Sequence, residues 1–505
     1  MHLERDKMYD APEGEVWSTV KPASTHNGAA PKRLAQRWNH RWSDESLTQG
    51  VSPLKDSSKT VKASATIPLG TGRPTALYYP WQSVSMAGTE ASRQPRGLKA
   101  TSAGDMTCAK GEAAFDLSSA LNYGEPSGWS QLVAFFRETT GRVHRPPYAD
   151  WDTTLTCGST SAVDLVLRMF CNRGDCVLAE AFTYPGTLMA LRAQGLRTVG
   201  VAMDADGLVP EALDAALRGW DASRSGRKPF VLYTIPSGHN PTGVTQSAAR
   251  KRAVYQVAER HDLLIVEDDP YYFLRLGRGG GGGGGESLPL PTSYLSLDTA
   301  GRVVRVESTS KILAPGLRCG WLTASRQVVD MFGNFAEVGP SSPAGPSQAM
   351  LYKLLVESWG PEGFAGWLDY LSGEYGRRRD VMVAACESHL PREVCAWTAP
   401  THGMFLWVGA ALERHPRYRE SGARDRDRDR DADADAELCR AVEDGICARA
   451  EANGVLVARG SWCRVGGGAD RAFFRMTFVA TAEAADLERG VAQFGRAVRD
   501  EFALG

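Results

Sequence analysis

A lysine lies between hydroxyl-bearing residues and an arginine in the segment Glu307–Trp321. Ser308 precedes Lys311 by three positions, and Arg318 follows it by seven, inside a Gly-x-Arg-x-Gly turn. A lysine amine can form an imine with an aldehyde. Hydroxyl and guanidinium groups are good donors to a phosphate. The cofactor that needs this combination is pyridoxal 5'-phosphate (PLP), which would restrict the chemistry to the α-carbon of amino acids.

A second phosphate-binding candidate is the turn at residues 157–161, which precedes a predicted apolar helix at residues 159–170. Gly158 permits a tight turn, and a helix N-terminus presents free N–H groups and a positive dipole end to an anion. Ser159 and Thr160 would add side-chain donors. Taken alone, such a sequence more often marks a simple helix cap than a binding site.

Two further candidates follow short apolar runs that predict buried strands. Tyr184 comes after the run at residues 176–179, where its ring could stack on an aromatic cofactor. Asn240 lies in an Asn-Pro-Thr-Gly turn after the run at residues 230–235, where its amide could donate to a cofactor oxygen. Ligands of open α/β sheets bind at the carboxyl ends of the strands. Taken alone, Tyr184 would indicate a packing residue or a turn, and the segment of Asn240 would indicate a plain turn.

Three adjacent acids, Glu267, Asp268 and Asp269, follow another apolar run at residues 263–266. A carboxylate next to the pyridine nitrogen of PLP would keep that nitrogen protonated and make the ring an electron sink. The alternative is a solvated strand end, which the preceding buried strand disfavours.

Arg475 stands in the apolar strand predicted at residues 473–478. A buried arginine is costly unless it is paired, and the α-carboxylate of an amino acid is a natural partner. A structural salt bridge is the alternative explanation.

Taken in chain order, the segments run from Ser159 through Tyr184, Asn240, Asp269, Lys311 and Arg318 to Arg475. This order resembles that of the fold-type I PLP-dependent aminotransferases. The resemblance implies a catalytic lysine at Lys311, a ring-nitrogen partner at Asp269, and a carboxylate-binding arginine at Arg475. It also implies a set of cofactor and substrate contacts: Ser159, Thr160, Ser308 and Arg318 at the phosphate, Tyr184 on the ring, Asn240 and Tyr272 at the 3'-oxygen, and Asn240, Tyr184 and Gly72 on the substrate side.

The amino-acid sequences of other segments indicate which branch of the family the chain resembles. Residues 68–74 and 78–81 resemble the substrate-side segment of aromatic and 2-aminoadipate/kynurenine aminotransferases, and the whole is closest to the fungal-type aromatic enzymes. The segment Leu121–Gly124 resembles one whose tyrosine, here Tyr123, reaches the PLP phosphate of the neighbouring subunit. The resemblance therefore implies a homodimer with sites completed by both chains.

Bulk properties exclude several classes of partner. The chain has 505 residues and a net charge of -1, so nothing favours nucleic acid or an anionic membrane. Its ten cysteines are scattered without a Cys-x-x-Cys pair or a metal-like cluster, which predicts reduced thiols in a cytoplasmic protein and no metal site. No signal peptide or membrane-spanning run is recognisable.

Helical patterns that alternate with short apolar runs predict an α/β fold: a three-layer fold-type I architecture with a mostly parallel central sheet and a smaller α+β domain. We expect a partly disordered arm at residues 1–60, a substrate-side segment at 61–120, a large PLP-binding domain at 121–363 and a small domain at 364–505. The glycine run at 279–285 and the Arg-Asp/Ala-Asp tract at 424–437 are low-complexity insertions that we expect in solvated loops.

The functional prediction is an aminotransferase that moves the amino group of an aromatic L-amino acid to a 2-oxo acid such as 2-oxoglutarate, for instance in a biosynthetic pathway. One alternative is a 2-aminoadipate/kynurenine aminotransferase. Another is a PLP-dependent C–S lyase of the same fold, since PLP stabilises a carbanion in either reaction. A non-catalytic PLP-binding regulator is disfavoured, because residues 1–60 show no helix-turn-helix pattern or basic recognition helix.

Overall fold

The computed structural model describes residues 32–50, 72–93, 106–277, 288–420, 432–466 and 471–504. The glycine run at 279–285 lies outside the described residues, as does the first part of the tract at 424–437. The last part of that tract is not a loop, because residues 432–437 already belong to the helix Ala432–Ala452.

Most strands coincide with the short apolar runs of the sequence. Within the described residues they are β1 Ser83–Met86, β2 Met106–Ala109, β3 Trp151–Thr156, β4 Cys176–Glu180, β5 Arg197–Val201, β6 Met203–Asp204, β7 Gly207–Leu208, β8 Val231–Thr234, β9 Leu264–Asp268, β10 Val303–Ser308, β11 Gly320–Ser325, β12 Cys395–Trp397, β13 Phe405–Ala411, β14 Ala458–Arg459 and β15 Arg471–Thr477.

Seven of these strands form the central sheet in the order β3-β11-β10-β9-β8-β4-β5. All neighbouring pairs are parallel except the two that involve β11. Strands β4, β8, β9 and β10 are buried along their whole length, as expected for a parallel sheet covered by helices. The predicted α/β fold with a mostly parallel sheet is confirmed.

Helices connect and cover these strands. In the described part of the chain they are α1 Asp44–Thr48, α2 Glu90–Arg93, α3 Leu117–Ala120, α4 Ser130–Val143, α5 Ser159–Phe170, α6 Pro185–Ala193, α7 Pro210–Arg218, α8 Ala222–Ser225, α9 Ala248–Arg260, α10 Tyr294–Leu297, α11 Arg326–Val338, α12 Gly345–Leu351, α13 Gly360–His389, α14 Pro416–Glu420, α15 Ala432–Ala452 and α16 Ala484–Glu501. Helix α5 has the bounds that the sequence predicts. In the described segments, no helix is both long and apolar enough to cross a membrane.

A smaller antiparallel sheet, β12-β13-β15-β14, lies beside α13, α15 and α16. The boundary predicted at residue 364 falls inside α13, and this helix contributes to both units. Phe364 and Leu368 belong to the hydrophobic core of the large sheet, whereas Met382 and Cys386 belong to that of the small one. The helix therefore links the two cores rigidly.

Part of the predicted N-terminal arm is packed against the large unit. Trp38 is fully buried, and its indole N–H donates to the carbonyl of Gly301 at 2.8 Å. Trp42 stacks on Phe170 with ring centroids 4.9 Å apart. Two isolated tryptophans carry no periodicity, so this docking could not be predicted from the sequence.

Candidate active site

The candidate residues come together because four neighbouring parallel strands end at the same edge of the sheet. In the order β10-β9-β8-β4, the strands lead to Lys311, to the acids 267–269 at the end of β9, to Asn240 and to Tyr184. The carboxyl ends of parallel strands form the usual ligand-binding edge of an α/β sheet. Arg475 reaches this edge from β15 in the small sheet.

Hydroxyls and a guanidinium converge at the start of α5, in a group that we call the cradle: Ser159, Ser308, Ser310 and Arg318. Gly158 has φ +89°, and a Cβ at this position would lie 2.5 Å from Arg318 Nη2, so only glycine permits this approach. Ser308 Oγ donates to Ser310 Oγ at 2.9 Å, and Arg318 Nη1 lies 3.5 Å from the same oxygen. Ser159 Oγ is buried without a hydrogen-bond partner. Thr160 is exposed. The donors and the helix N-terminus form a site for a dianion.

Lys311 is half-buried between two arginines. Burial, together with the charges of Arg475 and Arg318, lowers the pKa of the Lys311 amine below its ordinary value. A lysine with a lowered pKa presents more of the neutral amine, which is the form that acts as a nucleophile or a base.

Asn240 connects Arg475 to a tyrosine. Its Oδ1 accepts a hydrogen bond from Arg475 Nη1 at 2.8 Å, and its Nδ2 donates to the hydroxyl of Tyr271 at 3.4 Å. Tyr272, which the resemblance implies for the 3'-oxygen of PLP, does not face Asn240, because its hydroxyl donates to the carbonyl of Pro291 at 2.8 Å. Both tyrosines lie in the turn after β9, and this turn directs their hydroxyls to different partners.

The three acids also divide between two environments. Asp269 Oδ2 accepts hydrogen bonds from Ser237 Oγ at 3.0 Å and Arg305 Nη1 at 3.2 Å. Arg305 is fully buried and also pairs with Glu267 at 2.9 Å and Glu307 at 3.2 Å. Glu267 and Asp269 thus belong to an ionic network below the site. This contradicts the reading of Asp269 as the residue that faces the ligand, and Glu267 is not exposed.

Asp268 lies on the side of Asn240 and Tyr271. Its Oδ2 accepts from the Tyr233 hydroxyl at 2.7 Å, and its Oδ1 is buried without a partner. Its charge adds to the burial that raises the pKa of Tyr271. Burial, with the charges of Asp269 and Glu180, raises the pKa of Asp268 to about 7, although the hydrogen bond from Tyr233 opposes the shift. A cation placed near Oδ1 would relieve this cost.

Tyr184 is half-buried and immediately precedes α6. A Cβ at Gly186 would lie 2.4 Å from its ring, so that glycine leaves the space the ring occupies.

Two predicted residues are not joined to this group within one chain. Tyr123 is 70% exposed and, with Arg73 and Gln348, lines a cavity of about 1090 Å3 that none of the residues above lines. Gly72 is exposed, and a Cβ there would meet no atom within 4 Å. Their roles stay predictions.

The sequence of this chain also matches a known protein family. The profile of the family "Aminotransferase class I and II" matches residues 108–494. The chain belongs to the class I and II aminotransferases.

Two curated relatives cover almost the whole of this aminotransferase. Aminotransferase swnA of Metarhizium robertsii is 95% identical over 505 residues, which is 100% of both chains. An aromatic amino acid aminotransferase of Schizosaccharomyces pombe is 35% identical, over 94% of this chain and 99% of its own. Among solved structures, aminotransferase Aro8 of Candida albicans superposes with a TM-score of 0.83 at 34% identity, covering 94% of this chain and all of its own. The predicted family and enzyme class are confirmed.

The sequence did not single out Asp268, Tyr271, Ser310 or Arg305. No local signal separates Asp268 from Asp269 or Tyr271 from Tyr272, because the tyrosines lie in the turn after β9, where the alternation of a strand does not apply. No local signal marks Arg305, because its role depends on three acids from two strands.

Proposed function

We propose that this aminotransferase binds PLP and transfers the amino group of an aromatic L-amino acid to a 2-oxo acid such as 2-oxoglutarate. The observation that carries the proposal is the convergence of Lys311, the cradle with Arg318, and Arg475 at one edge of the central sheet. A phosphate group next to Arg318 and a substrate carboxylate next to Arg475 would then hold a reacting aldehyde and amine at the lysine.

Unpaired polar atoms support the fit of PLP to this site. Ser159 Oγ and Asp268 Oδ1 are among the buried side-chain atoms that have no hydrogen-bond partner within the described residues. Such atoms are uncommon in folded proteins because burying them is costly. One belongs to the cradle and the other lies on the side of Asn240 and Tyr271, where a phosphate and a ring nitrogen, respectively, would satisfy them.

Each residue of the site would then have a separate role. The cradle would hold the phosphate, Asp268 the ring nitrogen, and Tyr271 and Asn240 the 3'-oxygen. When bound, PLP supplies an electron sink for the negative charge that develops at the substrate α-carbon. Arg475 would bind the α-carboxylate, held in place by its hydrogen bond to Asn240. Lys311 Nζ would take and return the proton at the reacting carbon, and its lowered pKa suits that task.

The aromatic donor is supported by the name of the Schizosaccharomyces pombe relative, an aromatic amino acid aminotransferase. The test is to add single amino acids, without an acceptor, to the purified holoenzyme and to follow its visible absorbance. Conversion by Phe, Tyr or Trp supports the proposal. Conversion by 2-aminoadipate or kynurenine alone would assign the enzyme to the sister group, and pyruvate with ammonia as products would indicate a lyase.

Two copies of the chain are needed in this proposal. Tyr123 is largely exposed in the single chain, as expected if it contacts the cofactor phosphate of a partner subunit. For localisation we propose the cytoplasm, since ten unpaired cysteines suit a reducing compartment. Analytical ultracentrifugation tests the dimer, and a monomer with full activity would contradict it.

The decisive experiment locates the lysine that carries the cofactor. Borohydride reduction of the holoenzyme should leave a stable pyridoxyl group on the peptide containing Lys311. The variant Lys311→Ala should lose this label and its turnover, while its thermal unfolding stays close to wild type. A label on another lysine, or retained turnover in the variant, would contradict the proposal.

A further inference from the structure

Two cysteines lie opposite each other at the end of the central sheet. Strands β3 and β11 are antiparallel, with Leu155 opposite Trp321 and Thr156 opposite Gly320. One step further, this register places Cys157 opposite Cys319. The two strands remain close beyond this pair, because a Cβ at Gly158 would lie 2.5 Å from Arg318 Nη2.

The register predicts a backbone spacing at this pair that is compatible with a disulfide. The carbonyl of Cys319 accepts from the N–H of Thr309 at 3.1 Å and from its Oγ1 at 2.8 Å, rather than from Cys157. Directly opposite residues that do not exchange hydrogen bonds have Cα atoms about 4.5 Å apart, and their side chains project to the same face. Disulfides span Cα separations of about 4.4–6.8 Å.

The two thiols differ in access. All ten cysteines lie in the described part of the chain, and Cys157 is the one that is not buried. Cys319 is fully buried beside it. Burial raises the pKa of the Cys157 thiol, with Arg318 opposing the shift, and raises that of Cys319 to about 12. An oxidant would therefore reach Cys157 first, and Cys319 would react second, within the protein.

We propose that Cys157 and Cys319 are a redox modification site, which a small disulfide such as glutathione disulfide converts into a cross-strand disulfide. The Cys157 thiolate attacks glutathione disulfide, releasing one glutathione thiolate and forming a mixed disulfide. The Cys319 sulfur, after losing its proton to solvent, attacks the Cys157 sulfur of that mixed disulfide and releases the second glutathione. Two protein thiols are oxidised, and one glutathione disulfide is reduced to two glutathione molecules.

The modification would act on the cradle, a consequence that rests on the proposed PLP site. Cys157 immediately precedes Gly158, and Cys319 immediately follows Arg318. At present the Cys157 sulfur lies 3.9 Å from the carbonyl of Pro340, so it must rotate to reach its partner. The backbone carbonyl of Cys157 accepts a hydrogen bond from Arg318 Nη2 at 3.3 Å. A disulfide would displace this contact and turn Arg318 away from the phosphate, costing about tenfold in PLP affinity, as for one charge-assisted hydrogen bond.

The test is peptide mapping of the full-length holoenzyme after incubation in glutathione buffers of increasing oxidation. Digestion without reduction should release one pair of peptides that joins residues 157 and 319. The pair should be absent in Cys157→Ser and retained in the matched control Cys171→Ser, which removes a buried thiol elsewhere in the large unit. Absence of the cross-linked pair from wild type at every ratio would overturn the proposal.

Equilibrium dialysis against PLP provides the second readout. Oxidised wild type should bind PLP about tenfold more weakly than reduced wild type, and dithiothreitol should restore the affinity. Cys157→Ser should show no difference between the two conditions. A cross-link with unchanged affinity would overturn the effect on the cradle. A failure of PLP to bind in either state would contradict the proposed function, while the peptide map would still report the disulfide.

Discussion

Replacing Arg475 by methionine should separate carboxylate recognition from every other part of the site. Arg475 Nη1 donates to Asn240 Oδ1 at 2.8 Å, and its guanidinium carbon lies 4.6 Å above the ring of Phe405. The remaining N–H groups are free to form two hydrogen bonds with a substrate carboxylate. Methionine keeps much of the side chain's length and its contact with Phe405, so the charge and the donors are what the substitution removes.

The size of the effect follows from those two hydrogen bonds. Hydrogen bonds to charged groups contribute about 1.5–3 kcal/mol each, so two contribute about 3–6 kcal/mol. This corresponds to a fall in kcat/KM of about 10^2- to 10^4-fold for tyrosine. PLP binding should be almost unchanged, because the cradle is intact.

Arg471 provides the matched control. It lies four residues earlier on the same strand, is half-buried like Arg475, and projects to the same face of the small sheet. Arg471→Met makes the same chemical change away from Asn240, so its kcat/KM should stay within about threefold of wild type. The assay is steady-state transamination of tyrosine and of tyramine, which lacks the carboxylate. Wild type should strongly prefer tyrosine, and Arg475→Met should lose that preference. A variant that keeps the preference, or an equal loss in Arg471→Met, would refute the carboxylate role.

Three further predictions distinguish neighbouring residues. Asp268→Asn should lower kcat about 10- to 10^2-fold by removing one charge-assisted hydrogen bond to the ring nitrogen, whereas Asp269→Asn should mainly lower the melting temperature; equal kcat losses would contradict this. Tyr271→Phe should slow single-turnover transamination about tenfold, and Tyr272→Phe should leave its rate unchanged. The reverse result would assign the contact with the 3'-oxygen to Tyr272. Because burial raises the pKa of Asp268 to about 7, the cofactor-free folded state binds this proton more tightly than the unfolded chain. The free energy of unfolding of wild type, measured in denaturant titrations, should therefore rise relative to that of Asp268→Asn as pH falls from 8 to 4, by at most about 4 kcal/mol. The same pH dependence of stability in both proteins would contradict the raised pKa of Asp268.

Local features of the sequence were enough to predict much of the fold. Helix α5 begins after Gly158, whose positive φ ends the preceding strand, and its apolar pattern continues to Phe170. The pattern of residues 247–261 also indicates a helix, and helix α9 spans Ala248–Arg260, because Ser247 caps it by accepting from the N–H of Arg250 at 3.1 Å. Both signals lie within a few residues of the element that they define.

The candidate site was predictable as a set of segments but not as a set of side chains. Glycine, proline and hydroxyl residues mark the loops after the strands, and their order along the chain indicated the family. Which of two adjacent acids or tyrosines faces the ligand depends on the register of β9 within the sheet, and no local feature determines it. Tyr123 and Gly72 are both exposed in the single chain, so its geometry does not connect them to the other candidate residues.

The two environments at the end of β9 explain why three acids can be adjacent in a buried strand. Glu267 and Asp269 point to one side and share Arg305 with Glu307, so three negative charges surround one buried guanidinium. Asp268 points to the other side, where the Tyr233 hydroxyl is its side-chain hydrogen-bond partner among the described residues. Burial raises the pKa of Asp268 more than the charge of Arg305 and the Tyr233 hydrogen bond lower it, so a bound cation would stabilise the charged carboxylate further. The same alternation that hides Asp269 from the ligand thus leaves Asp268 available to it, and a protonated ring nitrogen would bind where the described part of the fold has left one carboxylate oxygen without a hydrogen-bond partner.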